Sequence, residues 1–508
     1  MHKPWHSLAF GMVVFLTLGL LSFTFPKTGI LLANNLTLKF PDLNSLLGLN
    51  ASKKDITKII EAVNTIDTSF VIHDPADTAI EKPIVSTPEK DLPATTDVSK
   101  ESVEDLGLDI EIKERDTAVL ITNIQTRNKN TLKKFFEALH GLKQDPRSIR
   151  VLHYGDSQIE GDRITDYLRL KLQGQFGGNG PGLISLMPIA NSPINKVTSG
   201  PGWDRYNVFT MKDKRVTHNN FGVLAGFNRF TRYKKVSDTS AVISSSIMVT
   251  TTKFGGSNAM SYKKVKLFYG GAQKRTWCEF YDGPALISAD SLEAGGAMRM
   301  EEYNVGNGSL AHTLKFRGKD SPDFYALSLE SDNGVMVDNI ALRGSSGTFF
   351  HQINNAQLKQ FYDYLNVKLI ILQFGGNSLP AINDREMAVN YSNYMKYQIS
   401  LLKKMAPGAS ILFIGPSDMS IKKGTEYVTY PYLETMRDAL RKVVLESDCA
   451  FFDMYDCMGG KNSMPAWVEQ KLAATDYTHF SPQGARKMAT LLYSELIKEY
   501  NLYLKTKN

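Results

Sequence analysis

Five short apolar runs, separated by stretches of helical periodicity, constrain the fold of this chain most tightly. They are Ile149–Tyr154, Val335–Leu342, Val367–Phe374, Ser410–Gly415 and Ala450–Asp453. Apolar residues recur at helical spacing at Ile164, Tyr167, Leu168 and Leu172, near residues 351–365, 384–405 and 430–447, and from Ala485 through Ile497. Short strands alternating with helices of this length predict a parallel sheet with helices on both faces. Five such strands make a three-layer, flavodoxin-like α/β fold.

The first run ends in Gly155-Asp156-Ser157, with Gly161 beyond. Ser157 is therefore expected at the carboxyl end of a strand, in the turn that opens a helix. In open α/β sheets ligands bind there, and backbone N–H groups can meet an oxyanion. A serine hydroxyl needs a base within hydrogen-bond reach, and that base needs an orienting carboxylate. Asp476 and His479 supply both types from one short loop ahead of the last helix. Their spacing of three puts the carboxylate near one ring nitrogen and leaves the other free. Gly344 and Asn377 stand just beyond the ends of two further strands. A glycine N–H and an asparagine amide are suitable oxyanion donors. Each of these residues also has a bland reading: a serine in an ordinary turn, a structural histidine before a helix, turn residues after strands.

Taken together the motifs resemble those of the SGNH/GDSL hydrolases. Gly155-Asp156-Ser157-Gln158-Ile159-Glu160-Gly161 is similar to that family's G-D-S-x-x-x-G block. Gly344 follows Asn339 by the second block's spacing, Gly375-Gly376-Asn377 resembles the G-x-N block, and Asp476 to His479 the D-x-x-H block. The resemblance implies Ser157 as nucleophile, His479 as general base and Asp476 as its partner. The Ser157 and Gly344 N–H groups and the Asn377 side chain would form the oxyanion hole. It covers about residues 147–195 and 333–505. Many members carry aspartate after the third-block asparagine, where this chain has Ser378. That puts local support of the asparagine loop in question more than the chemistry.

The stretch between Leu186 and Gly334 is far longer than one connecting helix needs. Val242–Thr251, Lys264–Tyr269 and Tyr325–Leu329 are β-prone, with Gly-rich breaks between them. Short strands with turn signals predict an inserted β-sandwich over residues 196–332, interrupting a hydrolase domain of 117–195 and 333–508. The placement resembles the carbohydrate-binding-like insert of some SGNH enzymes that act on cell-wall glycans, Gram-negative peptidoglycan O-acetylesterases above all. Trp203, Tyr206, Tyr269 and Trp277 could stack on sugar rings or fill the sandwich core.

At the other end, Lys3 and two histidines precede an apolar run from Leu8 to Phe25. It has nearly the about 20 residues that cross a bilayer. No small-residue cleavage site follows, so residues 1–26 are expected to be an uncleaved signal anchor rather than a removed signal peptide. The basic end would stay in the cytoplasm. By analogy with the relatives, the enzyme would then lie in a periplasm, anchored to a bacterial inner membrane; secretion after cleavage is the alternative. Residues 27–116 are expected to be a largely disordered tether. Asp74–Glu104 is rich in Pro, Thr, Ser, Asp and Glu and buries too little apolar surface to offset its ordering entropy. Residues 54–66 carry a short amphipathic helix pattern.

Composition decides little. A net charge of +7 on 508 residues fits an anionic wall polymer or simply solvated lysines. No nucleic-acid signature, H-E-x-x-H or cysteine–histidine zinc spacing occurs, so neither nucleic acid, metal nor cofactor is expected. Of three cysteines, Cys449 and Cys457 flank a strand and could pair, leaving Cys278 unpaired. The whole reads as a serine esterase acting on an acetylated glycan. A glycan O-acetyltransferase using the same triad is one alternative; a non-catalytic glycan-binding scaffold is another.

Overall fold

The computed structural model describes residues 124–507 apart from short breaks at 143, 145–146, 210–213, 234–236, 238, 253, 255 and 307–308, together with 54–66 and short pieces of residues 9–38. Five parallel strands form the central sheet: β2 (Ile149–Gly155), β3 (Val335–Ala341), β4 (Val367–Gln373), β5 (Ser410–Ile414) and β6 (Ala450–Phe452). The sheet order is β3-β2-β4-β5-β6, followed by the two-residue antiparallel strand β1 (Ile124–Gln125). Among the parallel strands this is the flavodoxin-like order, and all five lie where the apolar runs placed them.

Both faces are covered, which is why the strands read as continuous apolar runs rather than alternating ones. Val151, Val337, Leu369, Ile371 and Leu412 point to one side. There they meet helices α2 (Lys133–Gly141), α3 (Thr165–Phe176) and α7 (Pro482–Lys505). Leu152, Tyr154, Ile340, Ile370, Leu372 and Phe413 point to the other. They meet α4 (Asn355–Tyr364), α5 (Arg385–Met405) and α6 (Leu433–Glu446). Side-chain caps start three of these helices: Asn354 for α4, Asp384 for α5 and Ser481 for α7.

Residues 182–330 build two antiparallel sheets. The inner one orders Arg299–Asn304, Lys264–Gly270, Asp323–Glu330, Gly226–Arg229 and Asp204–Asn207, with Gly182–Ile184 also paired to Asp323–Glu330. The outer one orders Ala285–Leu292, Thr276–Asp282, Ala311–Gly318, Ile243–Thr251 and Asn195–Ser199. Burial alternates along Ala311–Gly318 in the outer sheet, whereas every residue of Asp323–Glu330 is buried. This central strand of the inner sheet has no wet face. One side shares a core with the outer sheet through Leu267, Phe316, Phe324 and Leu327. The other lies on α4, with Phe361 packed edge-on to Tyr325 at 5.5 Å and tilted to Phe268 at 5.7 Å. Buried Arg150 of β2 adds a polar stitch, pairing with Asp338 of β3 (2.7 Å) and with Glu330 of the inner sheet.

Some expectations are corrected, and some open alternatives are resolved. The antiparallel pairing begins at Gly182, not at 196, because Gly182–Ile184 completes the inner sheet. Trp203, Tyr206 and Tyr269 are core residues, at most 8 % exposed, so only Trp277 is left at the surface. Cys449, Cys457 and Cys278 are buried, with no disulfide among them. The expected tether, 27–116, falls mostly outside the described residues. Its helical stretch is described as α1 (Thr57–Thr65), and it is no tether: Ile56 and Val63 are buried in the core beneath α7. Lys487 of α7 donates to Asn64. The expected anchor, residues 8–25, is described only in part, and among the described residues no helix is long and apolar enough to cross a membrane.

Candidate active site

Strand β2 delivers Ser157 to the carboxyl edge of the sheet. Asp156 caps the six-residue 3₁₀ turn that follows, its carboxylate accepting the Gln158 N–H at 2.9 Å. On the far side of the sheet edge, the loop before α7 folds back on itself. Asp476 Oδ1 accepts the N–H groups of Thr478 and His479, both at 3.0 Å, and Tyr477 takes a left-handed conformation (φ +57°) to close the turn. The two segments meet although 322 residues separate them. Ser157 Oγ lies 2.7 Å from His479 Nε2, and His479 Nδ1 lies 2.8 Å from Asp476 Oδ2.

This line of hydrogen bonds sets the tautomer. A proton on Nδ1, held by the carboxylate, leaves Nε2 as the acceptor for the serine hydroxyl. Burial works against the Asp476 carboxylate, but hydrogen bonds from His479 and Thr478 outweigh it and keep its pKa below the ordinary value. Asp476 thus stays ionised across the neutral range.

Asn377 lines the same cavity of about 150 Å³ as Ser157 and His479, with Phe374, Pro416, Met419 and Met454 as its apolar wall. Its amide donates to the Ser345 carbonyl (3.2 Å) and hydrogen-bonds Asp156. Burial pushes Asp156 up to about 6, opposed by Gln158, His479 and Asn377. Gly344 does not line this cavity. It stands beyond β3 in a loop fixed to the nucleophile strand by the Leu342 N–H, which donates to the Gly155 carbonyl at 2.8 Å. Its φ of +80° is one that glycine adopts without strain. Ser378 takes its place in the support of the asparagine loop: it hydrogen-bonds Tyr391, whose hydroxyl donates to the Ser346 carbonyl at 2.7 Å.

Two parts of the site escaped the sequence reading. Gln158, the residue after the serine, bridges the two halves. Its amide donates to Ser417 Oγ and to the Thr478 carbonyl, both at 3.1 Å, and its carbonyl accepts the Phe480 N–H at 3.1 Å. It lay within the first block, but nothing in its spacing marked it. The other part is a hairpin, Ser420–Lys423 with Glu426–Thr429, whose Tyr427 ring stacks on Tyr477 at 3.5 Å. The Ser420 N–H also donates to the Tyr477 carbonyl (3.0 Å). Among the described residues no group of three or more His, Cys, Asp or Glu is placed to hold a metal ion.

A parallel five-stranded α/β sheet carrying a serine, a histidine and a carboxylate at its carboxyl edge defines the class: an acyl-transfer hydrolase of the three-layer type. Residues 303–487 match the GDSL-like Lipase/Acylhydrolase family, which supports an SGNH/GDSL-type carboxylic ester hydrolase. The matched stretch leaves out Ser157, which the antiparallel sheets separate from the later blocks. Among solved structures, a peptidoglycan O-acetylesterase aligns over 74 % of this chain and 97 % of its own, with a TM-score of 0.57 and 20 % identity. A putative GDSL-like lipase from Parabacteroides merdae (16 % identity, TM-score 0.23, 32 % of this chain and 74 % of that one) and the acetyl xylan esterase AlAXEase (13 %, 0.25, 32 % and 80 %) match less of it. No curated protein matches the chain.

Proposed function

We propose that this protein is a serine esterase that removes O-acetyl groups from a carbohydrate outside the cytoplasm, a cell-wall glycan. The observation that carries the reading is the unbroken line from Ser157 Oγ through His479 to Asp476 at 2.7 and 2.8 Å. His479 takes the hydroxyl proton as Ser157 attacks the ester carbonyl. The oxyanion is met by the Ser157 and Gly344 N–H groups and by the Asn377 amide, which turns from Ser345 toward the substrate. His479 then gives that proton to the departing sugar oxygen, which leaves as a hydroxyl, and water, activated by the same ring, releases acetate from the acyl-enzyme.

A short acyl group suits the small apolar wall of the cavity. The likeness in fold to a peptidoglycan O-acetylesterase favours a glycan as the alcohol half, with residues 182–330 as an inserted carbohydrate-binding-like domain. The N-terminal apolar run would anchor the chain in the inner membrane of a Gram-negative cell, with the enzyme in the periplasm.

Two measurements test this. Ser157→Ala should lower p-nitrophenyl acetate turnover by at least about a thousandfold; equal rates in wild type and variant would refute catalysis by this serine. Mass spectrometry of acetylated cell-wall glycan treated with the purified enzyme should show acetate lost from sugar hydroxyls. Net acetyl transfer to an added unacetylated glycan, outrunning hydrolysis, would make the protein a transferase instead.

A further inference from the structure

The turn that presents Ser157 continues into a groove between the hydrolase sheet and the inner antiparallel sheet. Glu160, Leu342, Arg205, Asn207 and Phe209 line it. Glu160 belongs to the same turn as Ser157, and Arg163 at the end of that turn is close enough to Asp476 of the triad to feel its charge. Three guanidinium groups gather at this place from three separate segments. Arg163 comes from the Ser157 turn, its Nε donating to the Glu160 carbonyl at 2.9 Å. Arg343 comes from the loop after β3, beside Gly344, and grips the Glu160 carboxylate with Nε (2.8 Å) and Nη2 (2.5 Å). Arg205 comes from the edge strand of the inner sheet and makes one long bond, Nη1 to the Met187 carbonyl at 3.4 Å. Arg205 is close enough to Arg343, and Arg343 to Arg163, for each to feel the other's charge.

The arrangement costs electrostatic energy. Burial lowers the pKa of both Arg163 and Arg205, and the Arg343 charge lowers both further. Nearby acids do not cancel it. Glu160 is fully engaged by Arg343, and Asp162 by Arg169 at 2.7 Å. Asp204 leans to Arg232, and Asp476 serves His479. Three positive charges face Glu160 and the more distant Asp476, which leaves about one positive charge unmatched at the mouth of the site. A single carboxylate balances that; a phosphate dianion exceeds it. Guanidinium groups bind carboxylates through paired N–H donors.

We infer that Arg205, with Arg163 and Arg343 behind it, binds a carboxylate of the glycan next to the acetylated sugar. The substrate is then an acidic acetylated polysaccharide, one with free sugar carboxylates, and not a neutral one. This rests on the esterase reading above, and it assigns a substrate class to that site.

The test compares three acetyl esters in wild type, Arg205→Ala, Arg205→Glu and Arg205→Lys. They are p-nitrophenyl acetate, an O-acetylated oligosaccharide with free carboxylates, and the same oligosaccharide with its carboxyls amidated. Wild type should prefer the acidic oligosaccharide by about tenfold or more in kcat/KM, chiefly through KM. Arg205→Ala should lose most of that preference, Arg205→Glu should lose all of it, and Arg205→Lys should keep part. All four should hydrolyse p-nitrophenyl acetate within about twofold of one another, because the one hydrogen bond of Arg205 goes to the Met187 carbonyl and not to the triad; this also reports that the variants fold. Equal handling of the two oligosaccharides by wild type, or a preference that survives Arg205→Glu, overturns the inference. Failure of the esterase reading looks different: p-nitrophenyl acetate hydrolysis would then survive Ser157→Ala.

Discussion

In the proposed reaction Ser157 and His479 need little from their neighbours beyond position, whereas Asp476 and Asn377 have roles that single substitutions can isolate. Asp476 fixes the His479 tautomer through Nδ1 and, with its other oxygen, pins the loop by accepting two backbone N–H groups. Asp476→Asn keeps an oxygen for the backbone, yet it turns an amide NH2 toward Nδ1. The ring then carries its proton on Nε2 and cannot accept from Ser157. A fall in kcat of about a hundred- to ten-thousandfold with little change in KM is expected; a change confined to KM would show that the carboxylate only shapes the loop. In the proposed reaction Asn377 acts later, on the oxyanion. Asn377→Ala should lower kcat by about a hundred- to a thousandfold and leave substrate binding nearly intact, as steady-state kinetics on p-nitrophenyl acetate would report. These residues were legible because each belongs to a short motif at a strand end or just ahead of a helix. Gln158 was not: a glutamine that bonds three groups 259 to 322 residues away leaves no local pattern.

Among the elements, the hairpin of Ser420–Lys423 and Glu426–Thr429 has the clearest unspoken role. It packs no core, its strands being mostly exposed or half-buried. Instead Tyr427 lies flat on Tyr477, the one non-glycine of the Asp476–His479 loop in a left-handed conformation. Such a conformation costs free energy unless surrounding contacts hold it, and ring stacking is worth about 0.5–1.5 kcal/mol. Tyr427→Ala should therefore let the loop relax and lower kcat about three- to tenfold, while Tyr427→Phe keeps the stack and the rate. Equal losses in both would point to the hydroxyl and sink the stacking account. The five parallel strands and the major helices were readable because burial on both faces makes strands uniformly apolar and helices amphipathic. The hairpin and the two-residue β1 were not, since neither is long or apolar enough to leave a period. The antiparallel sheets were legible as β-structure but not in extent. Gly182–Ile184 belongs to them through pairing with a strand far along the chain. The aromatics of this region could be read as sugar platforms or as core, because sequence does not tell an inward face from an outward one.

At the scale of the molecule, one apolar cluster runs from the α4–α6 side of the hydrolase sheet into the inner antiparallel sheet, joining Leu152 and Ile370 to Phe268 and Tyr325. A continuous core predicts one cooperative unfolding transition. Phe361→Ala, at the junction, should lower stability by about 3–5 kcal/mol without splitting that transition; two resolved steps in calorimetry would mean that the layers unfold separately. A single transition also lets stability report on buried charge. Asp156 and Asp418 are buried carboxyls held near 6 by desolvation, against an ordinary 3.8. Because these values are raised, the folded chain holds more protons than the unfolded one between about pH 4 and 6. Stability from each group is fully present below about pH 4 and is lost as the pH rises through 6. A shift of this size corresponds to about 3 kcal/mol per group, as an upper figure. Asp156→Asn removes one of the two titrations. It also perturbs the Gln158 and Asn377 hydrogen bonds, but most of that offset is the same at every pH. The difference in unfolding free energy, variant minus wild type, should therefore rise in the variant's favour by up to about 3 kcal/mol from pH 4 to pH 7, with nearly all of the change by pH 6.5. Denaturant titrations at a series of pH values would measure it, and a difference that stays flat across that range would show that Asp156 is ionised in the folded chain throughout.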